Sequence, residues 1–122
     1  MRNISPHVNI YKFPITAISS IATRLSGLYL SGAYVGFGLG TLCGINFFEK
    51  HKELENYKKR FINYTIITPS VYHTLGGMRH FIWDKYPSLL TNNKVAKSSY
   101  ILFGATLGTS IVVENYLNIK HQ

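Results

Sequence analysis

Residues 61–78 read FINYTIITPSVYHTLGGM, a run without one charged side chain, and residues 79–84 close it with RHFIWD. A bilayer core of about 30 Å is crossed by roughly 20 helical residues, with about 17 at the low end, so this run is long enough to span. Its one ionisable side chain in the span is His73. An imidazole at that depth costs free energy unless something binds it, which makes His73 the first place to look for function. The apolar positions are continuous and do not alternate, which argues against a membrane β-barrel.

Outward from this stretch the same pattern recurs. Leu25 to Phe48 carries no charge, and Ser98 to Val113 carries none. The first of these reaches spanning length directly. The second reaches it if Glu114 lies at the interface or faces protein, with Asn115 to Ile119 completing the last turns. The expectation is an all-α membrane protein in one domain, residues 1–122, with three transmembrane helices. It comprises an amino-terminal arm (1–13), helix one (about 14–48), a charged linker, helix two (about 58–84), a polar connection and helix three (about 98–118).

Composition alone would pass for a soluble protein, at 46% apolar and 14% aromatic; the order of residues is what changes the reading. The net charge of +8 does not point to nucleic acid, because the Lys and Arg residues sit at the ends of the apolar runs and between them. That distribution suits contact with lipid headgroups. Lys and Arg divide almost evenly between the two sides, so charge does not orient the chain. Cys43 is the single cysteine, which excludes an intrachain disulfide and a cysteine-built metal site. Met1 to Pro14 lacks the apolar core and cleavage pattern of a signal peptide.

Gly32, Gly36, Gly40 and Gly44 recur every fourth residue on helix one, as do Gly104 and Gly108 on helix three. Such strips let another helix approach closely. They serve either a neighbouring membrane subunit or internal packing of helix one on helix three. Pro69, four residues before His73, frees the carbonyl of Thr65 and predicts a kink, which either opens room beside the helix or is a neutral accommodation of the kind membrane helices tolerate.

At about 100° per residue, Gly76, Gly77, His80 and Asp84 fall within roughly 60° of His73, and Arg79 is turned away by about 120°. One helix face thus offers an axial nitrogen, two positions without side chains, a second imidazole and a carboxylate. A flat macrocycle needs a wall of this kind. His73 and His80 are about 10.5 Å apart along the axis, a span that suits a haem iron and its propionate edge. Ser20, Thr23 and Arg24 share a face at the start of helix one. Helices one and two run antiparallel, so Ser20, Arg24, His80 and Asp84 belong to the same side of the membrane, with His73 deeper. Hydroxyl and guanidinium donors suit a quinone carbonyl gaining negative charge, and Asp84 can deliver protons. The plainer readings are His80 and Arg79 snorkelling to headgroups and Arg24 as an interfacial anchor.

Two blocks of this chain resemble a known family. Ser5-Pro6-His7 leads through Phe13-Pro14-Ile15-Thr16 to Ser20, Arg24, Ser26 and Gly27, and the second block runs from His73 to Asp84. They are similar to the cytochrome b large anchor subunit of succinate dehydrogenase, respiratory complex II. The resemblance implies that His73 is an axial ligand of a b-type haem shared with a small membrane-anchor subunit. It implies that His80, with Arg24 and Gly77, lies at the haem edge, and that Ser20, Arg24 and Asp84 line a ubiquinone site. It further implies an iron–sulfur subunit and a flavoprotein subunit as partners, with FAD and the iron–sulfur clusters in those partners, and a heterodimeric helix bundle in the membrane. The implied location is the mitochondrial inner membrane, or a bacterial plasma membrane, with the amino terminus on the matrix or cytoplasmic side. Thr23, Asn3 and Tyr86 depart from the family pattern, which has histidine at the position of Thr23. The alternatives to a redox role in succinate oxidation are a cofactor-free structural anchor and the anchor of a quinol:fumarate reductase.

Overall fold

The computed structural model describes residues 14–120; the expected amino-terminal arm, with Ser5, Pro6 and His7, lies outside the described residues. The described chain is all-helical. It runs through α1 (Ile15–Leu42), α2 (Phe47–Lys52), α3 (Asn56–Lys85), a 3-10 turn (Pro87–Leu89) and α4 (Asn92–Lys120). At 28, 30 and 29 residues, each long helix extends roughly 40–45 Å at 1.5 Å per residue, more than a bilayer core.

Pro14 stands just before α1 in an extended conformation, and its carbonyl accepts from Ala17 N–H at 3.0 Å and Ile18 N–H at 3.2 Å. Proline lacks a donor, so nothing is lost at this position. The expected end of helix one near residue 48 is corrected to Leu42. Gly44 adopts φ +83°, the left-handed conformation open to glycine and common just past a helix end. Gly44 N–H donates to Thr41 O at 3.0 Å and Ile45 N–H to Gly40 O at 2.9 Å, closing the turn. Asn46 then caps α2 by accepting from Glu49 N–H at 3.4 Å. Phe47 folds back on α1, with its ring 5.0 Å from that of Phe37 and occupying the space a side chain at Gly40 would need.

The glycine strip is shortened accordingly. Gly44 lies outside the helix and Gly40 is covered by Phe47, whereas a side chain added at Gly32, Gly36, Gly104 or Gly108 would meet nothing within 4 Å. Internal packing of α1 on α4 therefore does not use these glycines.

α3 is the central helix, packed against α1 and α4, which also touch each other. The pairings give the direction of each helix. Ser19, Thr23 and Gly27 of α1 meet Arg79, Gly76 and His73 of α3 in that order, so the two are antiparallel. Ser99, Phe103 and Glu114 of α4 meet Arg79, Tyr72 and Arg60 of α3, so those two are antiparallel as well.

The side chains between the helices are small and polar. Ser19, Thr23 and Ser26 of α1 and Ser99, Thr106 and Ser110 of α4 are buried, whereas the buried hydrophobic side chains among the described residues are Tyr72 and Leu102. Leu42, Phe81 and Ile119 are 86%, 79% and 76% exposed. The arrangement is inverted relative to a water-soluble bundle, which hides its Leu, Ile and Phe. Hydroxyls bonded to their own helix, as Thr23 is to Ser19 O at 3.0 Å and Thr106 to Leu102 O at 2.8 Å, let backbones approach without leaving a polar group unpaired.

By length and composition α4 is the one described helix suited to crossing a membrane, which reverses the expected ranking of the runs. Serines, tyrosines and glycines dilute the apolar content of α1, and Asn63, Thr65, Thr68, Ser70 and His73 that of α3. α4 qualifies because it starts at Asn92 and continues past Glu114, which faces protein and is fully buried. Arg60 Nε lies 3.7 Å from Glu114 Oε1.

Candidate functional site

His73 sits where α3 crosses α1. Its Nδ1 lies 3.1 Å from the carbonyl oxygen of Thr23 and 3.3 Å from Ser26 Oγ, while Ser26 Oγ donates its proton to Thr23 O at 2.8 Å. A carbonyl only accepts, so Nδ1 carries the proton, and Ser26 Oγ has a lone pair turned to it. Nε2 is left with a free lone pair. This is the arrangement in which a backbone carbonyl orients a metal-binding histidine.

Gly27 makes the seat possible: a methyl group there would lie 2.7 Å from His73 Cε1 and 3.1 Å from Nδ1. Gly76, expected beside the ligand, is instead buried against Thr23, whose Oγ1 and Cγ2 lie 3.0 Å from where a side chain would begin. It serves the helix crossing. Gly77 has nothing within 4 Å, and His73 itself is exposed on this chain.

The residues present fit a haem. Among the described residues, no cluster of three or more His, Cys, Asp and Glu could enclose a bare metal ion. A macrocycle asks one chain for a single axial nitrogen beside a flat, open wall, and His73 with Gly77 offers that.

The predicted polar group is only loosely assembled. Ser20 is half-buried, and Arg24, His80 and Asp84 are exposed. Among the described residues the ion pairs are Lys52–Glu49, Lys58–Glu55 and Arg60–Glu114, so Arg24 and Asp84 are not joined. His80 stacks edge-on to Trp83 with ring centres 5.5 Å apart. Thr23, placed on the Ser20–Arg24 face by spacing, turns inward and is 7% exposed.

Arg79 is the residue that helix-wheel reasoning missed. It does not snorkel outward. Its guanidinium donates to Ser19 Oγ of α1 at 2.9 Å and Ser99 Oγ of α4 at 3.0 Å, and it lies over the Trp83 ring at 4.4 Å. Tyr72, about two turns earlier on α3, donates from its hydroxyl to Ser19 at 3.2 Å (O) and 3.3 Å (Oγ). One planar fork thus joins all three long helices a turn or two from His73. A signal was present: Ser19, Thr23 and Ser26, and Ser99, Thr106 and Ser110, recur at helical spacing and mark the inward stripes.

Beside Pro69 and Tyr72 a cavity of about 350 Å³ opens between the helices, reaching Ala22, Ser26, Thr106 and Leu107. Room next to Pro69 is as expected, and α3 continues through the proline as helix.

An all-helical chain with an apolar exterior and a hydroxyl-lined interior belongs to the class of helical membrane subunits. Residues 1–113 match the family described as succinate dehydrogenase/fumarate reductase transmembrane subunit, and the chain belongs to that family. It is 33% identical over 119 residues to the mitochondrial succinate dehydrogenase cytochrome b560 subunit of Sus scrofa, covering 90% of this chain and 68% of that protein. It is 28% identical over 117 residues to the corresponding subunit of Dictyostelium discoideum, covering 88% of this chain and 58% of that one. Against the cytochrome b556 subunit of Paracoccus denitrificans it is 29% identical over 87 residues, 68% of this chain and 67% of that one. The chain therefore spans from about half to two thirds of the length of the relatives it matches.

Proposed function

We propose that this chain is the large cytochrome b anchor subunit of a succinate:ubiquinone oxidoreductase, spanning the membrane three times through α1, α3 and α4. The observation that carries the reading is the His73 seat, where the Nδ1 side of an exposed imidazole is held by Thr23 O at 3.1 Å. Family membership over residues 1–113 supports it, as does the apolar exterior of all three long helices.

In this reading His73 would be this chain's ligand to a haem b shared with the small anchor subunit. Haem b, when bound, supplies a one-electron redox centre. Thr23 O and Ser26 would orient the imidazole through Nδ1, Gly27 would leave room for the ring, and His80, Gly77 and Arg24 would border the group's edge. Ser20 and Arg24 bind and orient ubiquinone: a hydroxyl and a guanidinium aim at carbonyl oxygens that become negative on reduction, where a fixed positive group in a water-poor site is most effective. Asp84 hands protons to that site. Succinate oxidation, FAD and the iron–sulfur clusters belong to the partner subunits, so this chain receives electrons and does not meet succinate. The location is the mitochondrial inner membrane, with the amino terminus on the matrix side. The named relatives are succinate dehydrogenases, which favours that direction over fumarate reduction.

The test is a reduced-minus-oxidised absorption spectrum of the purified complex, with His73→Leu and Arg24→Ala beside the native chain. A b-type signal lost in His73→Leu, and quinone reduction lowered roughly 100-fold in Arg24→Ala with the haem retained, is the expected result. A native complex without the signal leaves the chain a cofactor-free anchor.

A further inference from the structure

At the end of α3 remote from His80, the last turn of α2, the start of α3 and the end of α4 enclose a hollow of about 620 Å³. His51, Lys52, Lys59, Asn63 and Asn118 supply its polar wall, and Phe48 and Leu117 its apolar one. We propose that this hollow binds the phosphate of an anionic phospholipid, with Lys59 and Lys52 as the charged contacts and Phe48 and Leu117 against the first methylenes of its chains.

Charge selects the ligand class. The lining holds two lysines and a histidine and no carboxylate. The neighbouring cations are engaged elsewhere: Arg60 faces buried Glu114 at 3.7 Å and Lys58 faces Glu55 at 3.2 Å. Lys52 lies 3.3 Å from Glu49, but both side chains are mostly exposed, at 73% and 60%. Such a pair is weak in water and gives way to a stronger anion. Lys59 is half-buried and in no ion pair among the described residues.

The polar wall is also held in place. His51 Nε2 donates to Asn63 Oδ1 at 3.1 Å, tying α2 to α3 and leaving the Asn63 amide N–H groups for a ligand. Phe47 and Phe48 both stack on Phe37 of α1, at 5.0 and 5.9 Å, so α2 lies across the helix ends with its basic residues in the following turn.

Geometry separates a lipid from other phosphates. A nucleic-acid backbone needs a stripe of cations, and here they ring a concavity with apolar walls. A zwitterionic headgroup brings its own ammonium, for which the hollow holds no carboxylate. The site rests on the membrane-spanning reading, since only then do the ends of these helices fall at headgroup level.

The experiment uses the full chain in its assembled complex, placed in nanodiscs of phosphatidylcholine with and without phosphatidylglycerol. Bound lipid is counted by native mass spectrometry, and affinity is measured with headgroup-labelled phosphatidylglycerol. Phosphatidylglycerol is expected to be retained over phosphatidylcholine. Lys59→Gln should weaken it about fivefold, and Lys52→Gln with Lys59→Gln about 25-fold, from roughly fivefold per basic side chain near the surface. Lys59→Arg should restore binding, which separates lost charge from lost folding. Equal retention of the two lipids, or a double variant that binds as the native chain does, overturns the site. Displacement by inorganic phosphate as potent as by phosphatidylglycerol overturns a lipid site in favour of a free phosphate. A chain that enters neither kind of nanodisc overturns the spanning reading itself, and the haem spectrum reports on His73 independently of all these outcomes.

Discussion

Thr23 offers His73 a backbone carbonyl, Ser26 a lone pair and Gly27 an absence, and the three together hold an imidazole that spacing alone could only place at mid-span. The absence is the most sensitive of them. In Gly27→Ala the new methyl would stand 2.7 Å from His73 Cε1, closer than real Cβ contacts come, so something must shift. Either the ring rotates off Thr23 O or α1 and α3 separate. The expected outcome is a shifted or weakened b-type spectrum and a stability loss of roughly 1–3 kcal/mol, read by absorption and by thermal unfolding of the complex. His73 was legible in the sequence because an ionisable group inside an apolar run stands out. The inward turn of Thr23 was not, because threonine satisfies its hydroxyl on its own helix and so tolerates either side.

At the scale of elements, three long helices followed from charge-free runs, yet the end of α1 did not. Glycine every fourth residue reads as a packing strip wherever it stands, and only the backbone distinguishes Gly44, which ends the helix at φ +83°, from Gly32 and Gly36, which continue it. The charged ends of α4 were also under-read. Asn92 to Lys97 is polar in sequence and helical in space, because the helix continues beyond its apolar centre. The exposed strip gives a prediction at this scale. Gly36→Leu meets nothing within 4 Å in this chain, and leucine is the better helix former by roughly 0.7 kcal/mol, so the subunit itself should fold at least as well. If the strip seats a helix of the small anchor subunit, that partner should co-purify at a reduced ratio. An unchanged ratio would assign the partner to another face.

For the molecule as a whole, the central fact is an interior of hydroxyls gathered around one guanidinium. Arg79 links α3 to Ser19 and Ser99, and Tyr72 shares Ser19. Arg79→Leu removes both bonds and leaves those hydroxyls without their strongest donor. The expected cost is roughly 1–3 kcal/mol, seen as a lower unfolding midpoint in detergent. Arg79→Lys should recover only part of it, since an ammonium cannot reach two helices as a flat fork does. Charge-free runs, helix type and the position of His73 were decided by the sequence alone, because the exclusion of charge from a membrane-length helix is a property of the order of residues. Which side of each helix became the interior was decided by the tertiary structure. Small hydroxyls satisfy themselves locally, so their stripes stay neutral until three helices meet, and only that meeting turned Arg79 inward and seated the His73 ring against Thr23 O and Gly27.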